Sequence, residues 1–255
     1  MHDRRSANDR RELQVAHLGV LEYPAGVELQ SALHARRLAG EIPDTLLLLE
    51  HAPVYTYGRR AGAEELPFPD AFYEARGIAV HPSDRGGRVT YHGSGQLVGY
   101  PIMAVPDVHA HLRTMEAAII SALGEAGVAA RSRHDEGVDY TGVWVAERKI
   151  ASIGVHVSRG ISTHGFAVNV ENDLEPFSWV IACGLPDVTM TSLARERAGD
   201  GLACFRKRMA HAFCAAHGAR QRLVSAYRIG ALAATEPGAA PAGAEPLLTA
   251  TSVSA

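Results

Sequence analysis

The chain has 255 residues, 47% of them hydrophobic and 21% charged, with a net charge of −3. That composition suits a globular domain with a sizeable core and excludes a general binder of nucleic acid or of anionic membranes. No apolar run approaches the ~20 residues of a membrane helix, MHDRRSANDRRELQ lacks a signal-peptide apolar segment, and the three cysteines show no CxxC spacing, so free thiols in a reducing cytoplasm are expected.

Residues 1–11 are polar and expected to be disordered. Leu13–Leu18 predicts a first strand. Residues 25–38 carry Val27, Leu29, Ala32, Leu33, Ala35 and Leu38 in a helical stripe, and Pro43 follows soon after. Residues 45–50 form a short apolar run of buried-strand length, and residues 53–58 read as a strand before a turn. A short helix is expected over 70–76, closed by Gly77. Residues 78–81, 88–92 and 96–102 predict three strands separated by Gly-rich turns. Asp107 is placed to cap a long helix reaching Ala126, with Leu112, Met115, Ala118, Ile119 and Leu123 on one face and Gly127 after its end. Residues 143–145, 149–157 and 161–170 read as consecutive strands, with Arg159-Gly160 at a hairpin turn. A closing helix is expected over 201–217. Residues 229–255, rich in Ala, Pro and Gly, read as a flexible tail, leaving 12–228 as a single domain. Strands come in clusters with helices between them. The predicted class is therefore α+β (mixed α/β), a largely antiparallel mixed sheet flanked by helices.

Two regions can carry chemistry. Arg85 to Gln96, RGGRVTYHGSGQ, has four glycines and two arginines in twelve residues. Glycines let a ligand approach exposed N–H groups, and arginine adds a forked donor for an anion. The same composition also fits two hairpin turns with a solvated arginine pair. It is neither a GxxxxGK[ST] loop nor a dinucleotide fingerprint. Further on, Lys149 stands within a β-patterned run and Cys183 within a loop marked by Gly184 and Pro186. A strand lysine is most often exposed, and a lone cysteine is most often a small buried hydrophobe. If the fold joins them, the ammonium favours the thiolate and can shuttle a proton, making a nucleophile and an acid/base in one contact. Cys204 and Cys214 lie on a helical pattern and read as core or inert. The thirteen histidines show no HExxH or zinc spacing, and no GxSxG elbow occurs, so no metal and no cofactor are expected.

Taken together, RGGRVTYHGSGQLVGYP (85–101), RKIASIGVHVSRGISTHGFAVNV (148–170), CGLPDVTMTSL (183–193) and HAPVYTYGRRAG (51–62) resemble the lipoyl(octanoyl) transferases, over about residues 13–215. The resemblance implies the fold of the biotin/lipoate protein ligase superfamily and makes 12–228 a catalytic acyltransferase domain. It implies transfer of an octanoyl or lipoyl group from octanoyl-acyl carrier protein, through a cysteine thioester, to a lysine of lipoyl domains. Those acceptors would be the lipoyl domains of 2-oxoacid dehydrogenases and the glycine cleavage H protein. Cys183 matches the family's nucleophile and Lys149 the lysine that tunes it. Arg85, Gly86, Gly87, Arg88, Val89, Thr90, Tyr91, His92, Ser152, Ile153, Gly154, Gly165, Phe166 and Ala167 match its substrate-binding segments. Ser94 and Ala182 stand where the family often has proline, a change of loop stiffness more than of chemistry. A cytoplasmic monomer without a nucleic-acid or membrane partner is expected. The competing readings are an ATP-dependent lipoate or biotin ligase on the same fold, and a non-catalytic module that binds lipoyl domains.

Overall fold

Residues 11–185, 187–197, 199 and 201–234 are described by the computed structural model of the protein. Residues 1–10, Pro186 and residues 235–255, which hold most of the expected disordered N-terminus and flexible tail, lie outside the described residues.

Strand β1 (Glu12–Leu21) leads through helix α1 (Tyr23–Leu38) to β2 (Thr45–His51). Pro24 opens α1, where its fixed φ costs nothing. A small unit follows, made of β3 (Val54–Tyr57), α2 (Asp70–Glu74), β4 (Ala79–Pro82) and β5 (Val89–His92). Strand β6 (Gln96–Ile102) then returns to the first sheet. Helix α3 (Val108–Glu125) starts as the sequence predicts, with the Asp107 carboxylate accepting from Ala110 N at 3.1 Å. Strands β7 (Arg131–Ser132), β8 (Gly142–Val145), β9 (Arg148–Ser158) and β10 (Ile161–Asn169) follow. The β9–β10 hairpin turns at Arg159-Gly160, whose φ values of 49° and 77° suit a tight two-residue loop. The chain ends with β11 (Thr189–Met190), α4 (Leu193–Glu196), α5 (Leu202–Ala216), β12 (Arg220–Val224) and α6 (Ala226–Ala234).

Among the described residues the main sheet runs β12-β1-β2-β6-β10-β9-β8-β7, with β11 beside β9. Strands β12, β1 and β2 are mutually parallel, β11 is parallel to β9, and the other pairings are antiparallel. Helices α3 and α5 cover one face through Met115, Ile119, Phe205 and Phe213; α1 and α6 cover the other through Leu33 and Ile229. A second sheet, β4-β3-β5, packs Tyr55 of β3 against Tyr73 of α2 and Tyr91 of β5 against Phe177. The expected fold class holds.

Both expected boundaries shift. Arg11 is ordered rather than part of a loose N-terminus: its side chain pairs with Asp44, and its carbonyl accepts from Arg220 N at 2.8 Å. The tail expected from 229 begins instead with a helix. Its alanines favour helix, Ile229 is buried at 1% exposure, and Arg36 Nε donates to Leu232 O at 2.6 Å.

Candidate active site

The Gly-rich loop between β4 and β5 lies along the outer edge of β9, where Gly86 N donates to Val155 O at 2.9 Å. It can lie that close because β9 carries glycine there. A Cβ on Gly154 would stand 2.7 Å from Gly86 O. The segment after β3 ties the loop down from the other side, with Arg59 N donating to Arg85 O and Arg60 N to Gly87 O, both at 3.1 Å.

Between this loop and β9–β10 opens a cavity of about 260 Å³. Lys149 and Cys183 both line it, as do Ser152, Ile153 and Gly154 of β9, Gly165, Phe166 and Ala167 of β10, and Arg85 to Thr90 and His92 of the Gly-rich segment. One expected binding residue turns away. Successive residues of a strand point to opposite faces, so Tyr91, between Thr90 and His92, packs against Tyr55 and Phe177 instead.

Lys149 is not the exposed strand end that such a lysine usually marks. It is 2% exposed, with its ammonium 5.2 Å from the Trp144 ring centroid. Across β8 and β9, Val143 pairs with Ala151 but Trp144 with Lys149, so Ile150 is one residue too many. The bulge returns Lys149 to the face of Ser152 and Gly154, while Ile150 and Ala151 both enter the core under α3. Behind it, the buried Glu116 of α3 accepts from Gly142 N at 3.0 Å and pairs with Arg113 at 2.8 Å. Burial raises the Glu116 carboxyl above the usual range.

Cys183 sits in a single 3₁₀ turn, Ala182–Gly184, at φ 59° and ψ 14°. A non-glycine residue in the left-handed region is uncommon and marks a constrained backbone. Its thiol is part-exposed and lies 3.8 Å from Ser152 Oγ. Cys214 is buried, which pushes its thiol up to about 11, whereas Cys204 is exposed rather than core; neither lines the cavity.

His92 is fixed by a buried relay. Its Nδ1–H donates to Gln96 Oε1 at 2.7 Å, and Gln96 Nε2 donates to Asn169 Oδ1 at 2.9 Å. Burial, then the neighbouring His51, lowers His92 to about 3, so the ring is neutral and its Nε2 carries a lone pair. Burial likewise lowers His51 to about 4. Its Nδ1–H donates to Leu21 O at 2.9 Å, and the Tyr100 hydroxyl donates to its Nε2 at 2.6 Å.

The cavity also takes residues that sequence reading passed over. Tyr23 reaches it from α1 and carries no local signal; Tyr100, His164, Arg59 and Arg60 stood in recognised blocks without a role. Asp139, between β7 and β8, closes one rim by pairing with Arg60 at 3.0 Å and Arg88 at 3.4 Å. Among the described residues no cluster of His, Cys, Asp or Glu has metal-binding geometry, and no helix is long and apolar enough to cross a membrane.

The chain matches the lipoyl protein ligase A/B catalytic domain over residues 22–214. It is 48% identical over 200 residues to an octanoyltransferase of Rubrobacter xylanophilus, covering 77% of this chain and 87% of that protein. It is 47% identical over 189 residues to one of Solibacter usitatus, covering 72% and 84%. In fold it is similar to the bi-partite lipoate protein ligase of Thermoplasma acidophilum, with a TM-score of 0.67 at 19% identity over 88% of this chain and 91% of that one. The sequence matches place the chain in the octanoyltransferase family, among the lipoyl protein ligase A/B catalytic domains.

Proposed function

We propose that this acyltransferase carries an octanoyl (or lipoyl) group as a thioester on Cys183, with Lys149 as its proton carrier. The donor in this reading is octanoyl-acyl carrier protein and the acceptor a lysine of a lipoyl domain. What carries the reading is the meeting of Cys183 and a buried Lys149 at one cavity. Lys149 takes the thiol proton, and the Cys183 thiolate attacks the donor's thioester carbonyl. The tetrahedral intermediate collapses, the bond to the carrier's sulfur breaks, and Lys149 returns the proton to that departing thiolate. The acceptor amine then attacks the Cys183 thioester, gives its proton to the now neutral Lys149, and releases the Cys183 thiolate as the amide forms. Thioester exchange is near balance and amide formation runs downhill, so no ATP is required. Burying eight carbons at ~0.8 kcal/mol each would give about 6 kcal/mol of gross binding.

The place of Cys183 beside the buried Lys149 supports this over the ATP-dependent reading, in which the cysteine would be idle. The test is intact-protein and peptide mass spectrometry after mixing with octanoyl-carrier: an octanoyl adduct on Cys183 is expected, with transfer indifferent to ATP. Full transfer by Cys183→Ser would overturn the covalent route, and strict ATP dependence would favour the ligase.

A further inference from the structure

The sequence reading makes Arg85 a substrate ligand. Its surroundings argue for a different task. The side chain is buried, and its donors are directed at neutral acceptors: Nη2 to Thr56 O at 2.7 Å, Thr56 Oγ1 at 2.8 Å and Arg88 O at 2.8 Å, and Nη1 to Gly86 O at 3.0 Å. No carboxylate lies within ion-pair distance of it among the described residues. Thr56 Oγ1 stands in turn 3.5 Å from the neutral His92. A permanent cation is thus buried on neutral partners alone, an arrangement that costs stability unless an anion completes it.

The missing anion has a place. Arg85 Cδ lies 3.4 Å from where a Cβ on Gly154 would stand, and Cys183 Sγ lies 3.8 Å from Ser152 Oγ. Gly154 and Ser152 are same-face neighbours on β9, ~6.6 Å apart along the strand. The guanidinium and the thiol therefore occupy adjacent positions on one wall. Besides Lys149, the other charged side chains that line the cavity are already paired. Arg60 is held by Asp139, Arg88 by Glu65 and Asp139, and His164 by Asp84. Arg59 is exposed at the mouth, where solvent screens it.

We propose that Arg85 is the fixed counter-charge of the Cys183 thiolate, a positioning residue rather than a substrate ligand, which frees Lys149 to release its proton. The proposal rests on the two-step reading above. In that sequence Cys183 is a thiolate before attack and again on release, and Lys149 gives up and regains its proton between the two. Arginine stays protonated throughout. Consistent with this, burial pulls Arg85 below the usual arginine value while Tyr23 and Cys183 oppose that pull.

The test is the pH profile of iodoacetamide alkylation at Cys183, mapped by peptide mass on the full chain and read with the kinetics of octanoyl transfer. Arg85→Gln should move the profile up by about one pH unit and lower kcat with KM for the carrier little changed. Arg85→Lys should restore most of the shift. Adding Arg85→Gln to Lys149→Met should slow alkylation at pH 7 by about a further tenfold. Thr56→Val, which loosens the fork but keeps the charge, should leave the profile in place. The proposal falls if Arg85→Gln raises only KM, if the double variant is no slower than Lys149→Met, or if Thr56→Val shifts the profile as far as Arg85→Gln. Because alkylation needs no substrate, a wild type that forms no octanoyl adduct would sink the acyl-carrier reading while the alkylation arms still decide this one.

Discussion

Trp144 and Lys149 face each other across β8 and β9 on the far side of a one-residue bulge, with the ammonium 5.2 Å from the indole centroid. Strict alternation would have sent Lys149 the way of Ala151, Ile153 and Val155, under α3 and α5. The bulge delivers a cation to the cavity from a strand whose pattern is otherwise apolar, and the indole face favours the charge there.

Lys149→Met is therefore expected to separate chemistry from stability. Methionine fills the volume without a buried charge, so the melting temperature should hold or rise. Octanoyl transfer should fall by about 10²–10⁴-fold, the usual worth of a positioned acid/base. Lys149→Arg should not rescue it, because arginine does not release its proton. Transfer rates and thermal melts of the three proteins check this; rescue by arginine would refute the proton-carrier role.

The left-handed backbone of Cys183 predicts a trade of stability for function. A Cβ in that region costs ~1 kcal/mol relative to glycine. Cys183→Gly should be more stable than Cys183→Ala by about that amount, although neither forms an acyl adduct. Urea unfolding of the two variants measures the difference, and equal midpoints would mean that the turn carries no strain.

Much of this was readable in the residues before any coordinates. The Asp107 cap, the Arg159-Gly160 turn and the β9–β10 pattern are local signals, and each appears where the spacing places it. Even the bulge leaves a trace, since Ile150 is out of phase with Ile153, Val155 and Val157. Tyr91 could have been excluded by the same alternation rule that admits Thr90 and His92. What stayed hidden depends on partners far along the chain. Strand β12, RQRLV, is polar and becomes a strand by pairing with β1, and the β4-β3-β5 sheet joins short segments with no shared signature. The relay from His92 to Asn169 joins residues 77 positions apart and needs the fold to exist.

Buried histidines set the acid limit of the fold, and His164 is lowered by burial alongside the three that follow. His51, His92 and His111 are lowered from 6.5 to about 4, 3 and 4, each chiefly by burial. Below 6.5 the unfolded chain binds protons that the folded chain refuses, so stability falls as pH drops toward 4 and is flat above about 7. Each ring contributes at most ~1.4 kcal/mol per pH unit in that window. Urea midpoints at pH 7.5 and 5 should differ accordingly, and His111→Leu, remote from the cavity, should remove part of the loss. Equal midpoints at the two pH values would contradict the buried neutral rings.

Helix α6 is expected to be integral to the fold. Ile229 is 1% exposed and packs with Leu33 and Ile42 beneath α1. Ile229→Ala should cost about 2–4 kcal/mol, the range for truncating a core isoleucine. A loss below about 0.5 kcal/mol in urea unfolding would mean that the helix docks only weakly.

Gly99 and Phe166 give the sharpest packing test near the cavity. They are paired across β6 and β10, and a Cβ on Gly99 would overlap the Phe166 ring. The φ of Gly99 is not in the left-handed region, so the constraint is space alone. Gly99→Ala should cost about 1–3 kcal/mol by overpacking, and Phe166→Ala about 3–5 kcal/mol by leaving a void. Because the added methyl occupies part of that void, the double variant should be less destabilised than the sum of the two by at least ~0.5 kcal/mol. A double-mutant cycle in urea reads the coupling directly. Strict additivity would show that the ring can move aside without loss, and that the width of the cavity wall at Phe166 is not set by the missing side chain opposite it.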